Sequence, residues 1–173
     1  MKSGQLPRYI EPRKFADQES RIVGSTKVSR LPRLADFQCS EDKPVEVDLR
    51  FYHEAASGHR IVEGSITTAL QLTCQRCLEP MQQSVSAVVS LIMVWSEVVE
   101  GQTFPESYDP WLITEDKMDV STLLEDEILL SLPVVAMHDE CPVTLPVSPE
   151  PEGFMEPAET ENPFAVLASL KEK

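Results

Sequence analysis

The chain has 173 residues, of which 42% are hydrophobic, and it carries a formal net charge of −14 at pH 7. This length suits one domain with tails, or one domain and a small appendage, and so acidic a surface repels a phosphate backbone over most of its extent. No apolar run reaches the length of a membrane span and no charged-then-apolar leader opens the sequence, so we expect a soluble, cytoplasmic protein without a membrane partner.

The charge is unevenly distributed along the chain. Residues 1–33 contain eight basic and three acidic residues, whereas residues 97–161 contain seventeen acidic residues and one basic residue. Direct contact with nucleic acid is therefore electrostatically acceptable only in the N-terminal quarter, and the acidic half suits a basic protein partner better. The alternative is that the acidic surface only keeps the protein soluble.

We interpret residues 1–36 as a basic N-terminal segment packed on the domain. Pro12 suits the first turn of a short helix over residues 11–18. Residues 21–28 favour a short strand.

A second short helix is predicted to begin at Ser29 as N-cap, with Leu31 and Leu34 facing inward. Arg30 and Arg33, three residues apart, would then share the outward face. They form either a basic partner-binding edge or an ordinary solvated helix face.

Residues 37–138 form the predicted core of the domain. Three runs alternate apolar and polar residues with the period of a half-buried strand, at residues 45–52, 60–73 and 85–95. Short loops join them, which favours an antiparallel β-meander. Gly64 is expected at a bulge or at a close approach of two backbones.

An acidic loop over residues 97–117 follows the third strand, with a short edge strand predicted near Trp111. Residues 120–132 then have the pattern of a buried helix, capped by Asp119 or Ser121 and ended by a proline. Its predicted apolar surface comprises Val120, Leu123, Leu124, Ile128, Leu129 and Leu130. The predicted fold class is therefore α+β, an antiparallel β-meander sheet covered by a buried helix.

The turn between the second and third strands carries the only obvious reactive motif, Cys74-x-x-Cys77. Two thiolates at this spacing can reach one Zn²⁺ ion, and a structural site needs four ligands, which His138 and Cys141 would complete. Thiol–disulfide exchange is a second interpretation, although such motifs usually open a helix in an α/β unit. In a third, both cysteines only pack and shape the turn. Zinc is thus the one cofactor that the sequence suggests.

The C-terminal part is predicted to be a flexible arm with a docking segment. Residues 139–161 are an acidic, proline-rich linker, and residues 162–173 begin with a short amphipathic helix. Phe164, Leu167 and Leu170 lie on one helical edge. Such a segment is typical of a partner-binding motif; the alternative is that it folds back on its own domain.

Three stretches of this chain together resemble the large ribosomal RNA subunit accumulation proteins, the YceD-like family. They are Leu72-Thr73-Cys74-Gln75-Arg76-Cys77-Leu78-Glu79-Pro80, the acidic helix with its continuation over residues 125–138, and the ending at residues 162–171. The resemblance covers most of the chain. Many Gram-positive members of the family look as if they carry extra cysteines near the C-terminus, where this chain has only His138 and Cys141. This departure makes a closed zinc site less expected.

The resemblance implies ribosome biogenesis. The protein would support synthesis, processing or stability, and so accumulation, of the 23S ribosomal RNA of the large subunit. The partner would be a ribosomal protein or a large-subunit assembly factor, with ribosomal RNA contacted directly or only indirectly. A zinc-binding or redox-sensing module is the alternative.

We expect no enzymatic activity. His53, His59 and His138, together with many carboxylates, could support acid–base chemistry. The sequence nevertheless contains no phosphate-cradling glycine loop, no nucleophile elbow and no His-Glu-x-x-His motif.

Deleting residues 160–173 should leave the melting temperature of the domain nearly unchanged but reduce ribosomal RNA accumulation, because so short a helix orders only when docked. Thermal unfolding and complementation of a depletion strain measure the two effects. A large fall in melting temperature would mean that the segment packs on its own domain.

Overall fold

The computed structural model describes residues 4–37, 39, 41–95 and 104–141, and within them two sheets and two α-helices form the fold. The helices are α1 (Pro12–Asp17) and α2 (Val120–Leu130), and two 3₁₀ helices span Val28–Arg30 and Pro32–Phe37. The strands are β1 (Gly4–Gln5), β2 (Tyr9–Ile10), β3 (Arg21–Lys27), β4 (Pro44–His53), β5 (Arg60–Thr73), β6 (Pro80–Val94), β7 (Asp109–Leu112) and β8 (Met118–Asp119).

The main sheet has the strand order β1-β3-β4-β5-β6-β7. Strands β3 to β6 pair antiparallel in sequence order, which confirms the predicted meander and the α+β class. The prediction of a purely antiparallel sheet is incomplete, because the short edge strands β1 and β7 pair in parallel with β3 and β6. Two or four residues are too short to display a period, so the parallel edges leave no local signal.

The core lies between the inner face of this sheet and α2. Val45, Val47, Leu49 and Phe51 alternate along β4 and are all buried, as the period of two requires. They belong to one hydrophobic cluster with Leu124 and Ile128 of α2. Burial of each such side chain contributes about 1.5–3 kcal/mol relative to leaving it in water.

Helix α2 begins as predicted, since the Asp119 carboxylate accepts a hydrogen bond of 2.9 Å from the Ser121 backbone N–H. Its predicted apolar surface is too wide. Leu130 is 81% exposed, because it lies at the last turn and away from the sheet-facing side. Glu125 is only 4% exposed instead, and its side chain accepts a hydrogen bond from the Arg33 backbone N–H.

The region around Ser29 differs from the predicted helix. Two 3₁₀ helices replace it, with Leu31 between them, and Ser29 lies inside the first rather than at an N-cap. The N–H and hydroxyl of Ser29 both donate to the Asp42 carboxylate, so this side chain makes a charge-assisted hydrogen bond and does not cap a helix. Leu31 and Leu34 are buried, which confirms their predicted inward direction.

In the described part of the chain, no helix is long and apolar enough to cross a membrane. Residues 139–141 of the predicted linker belong to the described part of the chain. The rest of the linker, residues 142–161, and the amphipathic segment of residues 162–173 lie outside the described residues.

Substituting Gly64 by alanine should destabilise the fold by about 3 kcal/mol, because the new Cβ would lie 2.0 Å from the Asp48 carbonyl oxygen and the backbone φ is +153°. Gly58→Ala is the matched control. Its φ is +75° in a hairpin turn with open space around the Cβ position, so we expect a loss of about 1 kcal/mol. Urea unfolding measures both, and equal losses would show that the β4–β5 approach tolerates a methyl group.

Candidate metal centre and charged surfaces

The Cys74-x-x-Cys77 motif forms the tight turn that joins β5 to β6. Thr73 pairs with Pro80 as the last residue pair of the two strands, and the Cys74 N–H donates to the Glu79 carbonyl at 3.0 Å. Leu78 has a φ of +63°, which lets the chain reverse immediately after Cys77. Both cysteine side chains are thereby directed inward, with exposed fractions of 0% and 6%.

A second arm, residues 136–141, reaches this turn after α2 has ended. The Gln75 N–H donates to the Ala136 carbonyl at 2.8 Å, and this hydrogen bond fixes the arm beside the turn. The His138 N–H points at the Cys74 Sγ atom, 3.4 Å away. The His-x-x-Cys half of the candidate site is therefore held by backbone contacts as well as by its own side chains.

The four side chains that the sequence suggests as ligands lie together. One donor atom from each of Cys74, Cys77, His138 and Cys141 falls within 4.8 Å of the others. The Cys74 and Cys141 Sγ atoms are 3.8 Å apart, and the Cys77 Sγ atom lies 3.4 Å from His138 Nδ1. All of these cysteines are free thiols, so the arrangement is a cluster of donors rather than a disulfide.

Arg76 is a member of this cluster that the motif search missed. Its Nε–H donates to the Cys141 Sγ atom at 2.8 Å, and its Nη2 donates to the His138 carbonyl at 2.9 Å. The hydrogen bond with the Cys141 sulfur is the main reason that the pKa of Arg76 is raised. Its only local signal is its position between the two cysteines, since the residues it contacts are more than sixty positions away.

The two turn cysteines differ in their readiness to lose a proton. Burial alone would raise the pKa of Cys74, but the backbone N–H groups of Cys77, His138 and Arg76 overcome it and lower that pKa to about 5. At Cys77 the Glu79 N–H favours the thiolate, yet burial and the sulfurs of Cys74 and Cys141 outweigh it and raise the pKa. The turn therefore supplies one stabilised thiolate and a second thiol that a cation would deprotonate.

A separate cluster of carboxylates comprises Asp126 and Glu127 of α2 and Asp109 of β7. Burial raises the pKa of Glu127, and the nearby Asp109 and Asp126 carboxylates raise it further. Asp126 is paired with the Arg33 guanidinium, whereas Asp109 is exposed at the start of β7. Within residues 4–37, 39, 41–95 and 104–141, neither Asp109 nor Glu127 takes part in an ion pair, so negative charge concentrates around them.

Arg33, one of the two predicted edge arginines, is exposed but directed at α2 by its Asp126 ion pair. The other, Arg30, is exposed and lines a groove of about 430 Å³ together with Arg8. The structure therefore separates the roles of the two residues. The predicted partner-binding residues Phe164, Leu167 and Leu170 lie outside the described residues.

The chain is similar to known proteins of one family. The family model "Large ribosomal RNA subunit accumulation protein YceD" matches residues 62–171, a range that begins within β5 and includes both arms of the cysteine cluster. The large ribosomal RNA subunit accumulation protein YceD of Haemophilus influenzae is 32% identical over 183 aligned positions, which cover 100% of both chains. No solved structure matches significantly.

Replacing Glu127 by glutamine should stabilise the protein at pH 7 by about 0.5 kcal/mol, because burial and the neighbouring carboxylates disfavour its charge while solvent screens part of this effect. The pKa of Glu127 is higher in the folded state than its ordinary value of 4.5. The folded protein therefore loses stability as the pH rises through the raised pKa and Glu127 becomes charged. The gain in stability from Glu127→Gln should vanish below pH 4.5, where Glu127 is protonated in both the folded and the unfolded protein.

Urea unfolding at pH 7 and at pH 4 measures this difference. Asp126→Asn is the control, and it should destabilise the protein at pH 7 because it removes the partner of Arg33. A loss of stability for Glu127→Gln at pH 7 would instead assign Glu127 a favourable ionic contact.

Proposed function

Because the chain belongs to the family of large ribosomal RNA subunit accumulation proteins YceD, we propose that it supports the accumulation of 23S ribosomal RNA during ribosome biogenesis in the cytoplasm. The observation that carries this proposal is the similarity to the Haemophilus influenzae protein, which spans both chains completely. We further propose that the protein acts by binding an assembly partner and not by catalysing a reaction.

The proposed partner is a basic ribosomal protein or a large-subunit assembly factor. Residues 104–141 expose a set of carboxylates with Lys117 as the only basic residue among them. The exposed acidic residues are Glu106, Asp109, Glu115, Asp116, Asp139 and Glu140. Potentials of this sign attract a positively charged protein surface and accelerate its association.

Ion pairs between N-terminal cations and carboxylates of the same chain favour an indirect contact with ribosomal RNA. Arg8, Arg21, Lys27 and Arg33 each lie within 4 Å of a carboxylate of the domain itself. Exposed pairs of this kind are weak, but they lower the positive potential that a phosphate would meet. Arg13, Lys14 and Arg30 take part in no ion pair within the described residues, so a direct phosphate contact would depend on these three cations.

The surroundings of the three histidines favour a role without catalysis. The His53 ring contacts the Gly58 carbonyl at 3.2 Å within its own hairpin, and the His59 ring packs against Phe104 edge to face. His138 contacts the cysteine cluster. His53 and His59 therefore contact structural neighbours, and the partner of His138 is a cysteine of the candidate metal centre.

The level of 23S ribosomal RNA in a strain that lacks the gene tests this function. We expect a lower ratio of 23S to 16S ribosomal RNA and fewer free large subunits, with recovery when the wild-type gene is restored. Normal ribosomal RNA and normal subunit profiles in the deletion strain would overturn the proposal.

Neutralising the carboxylate cluster should weaken partner binding. We expect Asp109→Asn with Glu127→Gln to reduce retention of a basic ribosomal protein in a pull-down at moderate salt by about fivefold to tenfold, equivalent to roughly 1 kcal/mol. The matched control is Glu11→Gln with Glu46→Gln, which removes two exposed carboxylates elsewhere and should leave retention unchanged.

Treatment of the pull-down with RNase separates the two modes of action. Retention after RNase supports a protein-mediated contact. Loss of the partner after RNase would assign the interaction to RNA. If the cluster variant and its control also retained the same amount of partner, the proposed binding through the acidic surface would be contradicted.

A further inference from the structure

We propose that Cys74, Cys77, His138 and Cys141 together bind one Zn²⁺ ion as a structural, tetrahedral Cys₃His site. Structural zinc takes four ligands, with Zn–S bonds of about 2.3 Å and Zn–N bonds of about 2.0–2.1 Å, so the edges of its tetrahedron measure roughly 3.5–3.8 Å. The two edges formed by the Cys74–Cys141 sulfurs and by Cys77 Sγ with His138 Nδ1 are 3.8 Å and 3.4 Å. All four donor atoms lie within 4.8 Å of one another, so small shifts would bring the remaining edges to the same spacing.

The donor set selects the metal. Thiolates with an imidazole suit zinc, whereas magnesium and calcium prefer oxygen ligands. A single disulfide would use only two of the three sulfurs and would require an S–S distance of about 2.05 Å. A disulfide would also not explain why the His138 ring lies next to the sulfurs. A metal ion uses all four groups at once.

Backbone geometry supports both halves of the site. The Cys74 carbonyl accepts the Leu78 N–H at 2.9 Å, which keeps Cys74 and Cys77 on the same side of the turn. The His138 N–H lies 3.4 Å from the Cys74 sulfur. N–H groups that point at sulfur stabilise the thiolate form that a metal needs.

Arg76 compensates the charge of the proposed site. Three thiolates and one Zn²⁺ ion leave one net negative charge, and the Arg76 guanidinium donates directly to the Cys141 sulfur at 2.8 Å. The same side chain also binds the His138 and Asp139 carbonyls and so holds the second arm in place. Arg76 is therefore a positioning residue, which would hold a ligand and the second arm without binding the metal itself.

The zinc site and the proposed role in ribosomal RNA accumulation are independent, since metal content is measured on isolated protein. The full chain is purified under reducing conditions without chelator, and its zinc is measured by elemental analysis. We expect one zinc per chain. Cobalt titration of metal-free wild-type protein should give the absorption of tetrahedral, thiolate-ligated Co²⁺, saturating at one equivalent.

Cys39 supplies the matched control. It is a free, half-buried cysteine whose thiol donates to the Ala69 carbonyl, outside the cluster. Cys39→Ser should keep one zinc per chain and the cobalt spectrum, whereas Cys141→Ser and His138→Ala should lose most of the zinc. Arg76→Gln should keep the cobalt spectrum but weaken zinc affinity by about tenfold or more in competition with a chelator, and Arg76→Lys should recover part of the loss.

The wild-type protein decides the outcome even if a ligand variant fails to fold. Folded wild-type chain that neither contains zinc nor binds cobalt with tetrahedral absorption after full reduction overturns the proposal. Loss of zinc in Cys39→Ser equal to that in Cys141→Ser overturns it as well. A normal zinc content in a protein without effect on 23S ribosomal RNA would refute the proposed function and leave the metal site intact.

Discussion

Pairing of β5 with β6 is the constraint on which the other features depend. Thirteen residue pairs run without an offset from Ile61 opposite Ile92 to Thr73 opposite Pro80. Because side chains alternate between the two faces of a sheet, a slip by one residue would move every buried side chain of a strand to the opposite face. The same register brings the cysteine turn to the end of the hairpin, offers β6 as the partner of β7, and forms the surface on which α2 packs.

The acidic character of the chain has an internal as well as an external role. Asp119 caps α2, the buried Glu125 binds the backbone of the N-terminal 3₁₀ helix, and Asp126 holds Arg33. These three carboxylates connect the helix to the strand before it and to the basic N-terminal segment. Only the carboxylates that remain exposed, such as Asp109, present negative charge to a partner. Net charge alone therefore overstates the surface that is available for binding.

The sequence predicts long periodic elements well and contacts between distant residues poorly. Strand β5 has the predicted bounds, and β4 extends one residue beyond them at each end, because alternation over many residues is unambiguous. Strand β6 begins five residues before its predicted start, since pairing with β5 continues through the polar residues after Pro80.

The candidate ligands were identifiable from residue type and spacing. Their convergence was not, because it depends on where α2 ends relative to the hairpin. Arg76 and Glu125 were missed for the same reason: a charged residue is by default expected at the surface, and only a partner far along the chain explains its burial or its direction.

The closeness of the two ligand arms follows from the fold and not from the metal. Cys77 and His138 are 61 residues apart in the sequence. Closing a loop of that length costs conformational entropy, and a contact between two side chains is too weak to offset this cost. The β5–β6 register and the packing of α2 provide this closure, so an ion would meet donors that are already assembled. Residues 131–141, in contrast, form no helix or strand. Among the described residues, the hydrogen bonds between the turn and residues 136–141 are the Gln75–Ala136 bond, the bonds of Arg76 and those of the cysteine cluster itself. Metal binding would therefore add little to the sheet and would order chiefly this arm, including residues 139–141 at the start of the predicted linker.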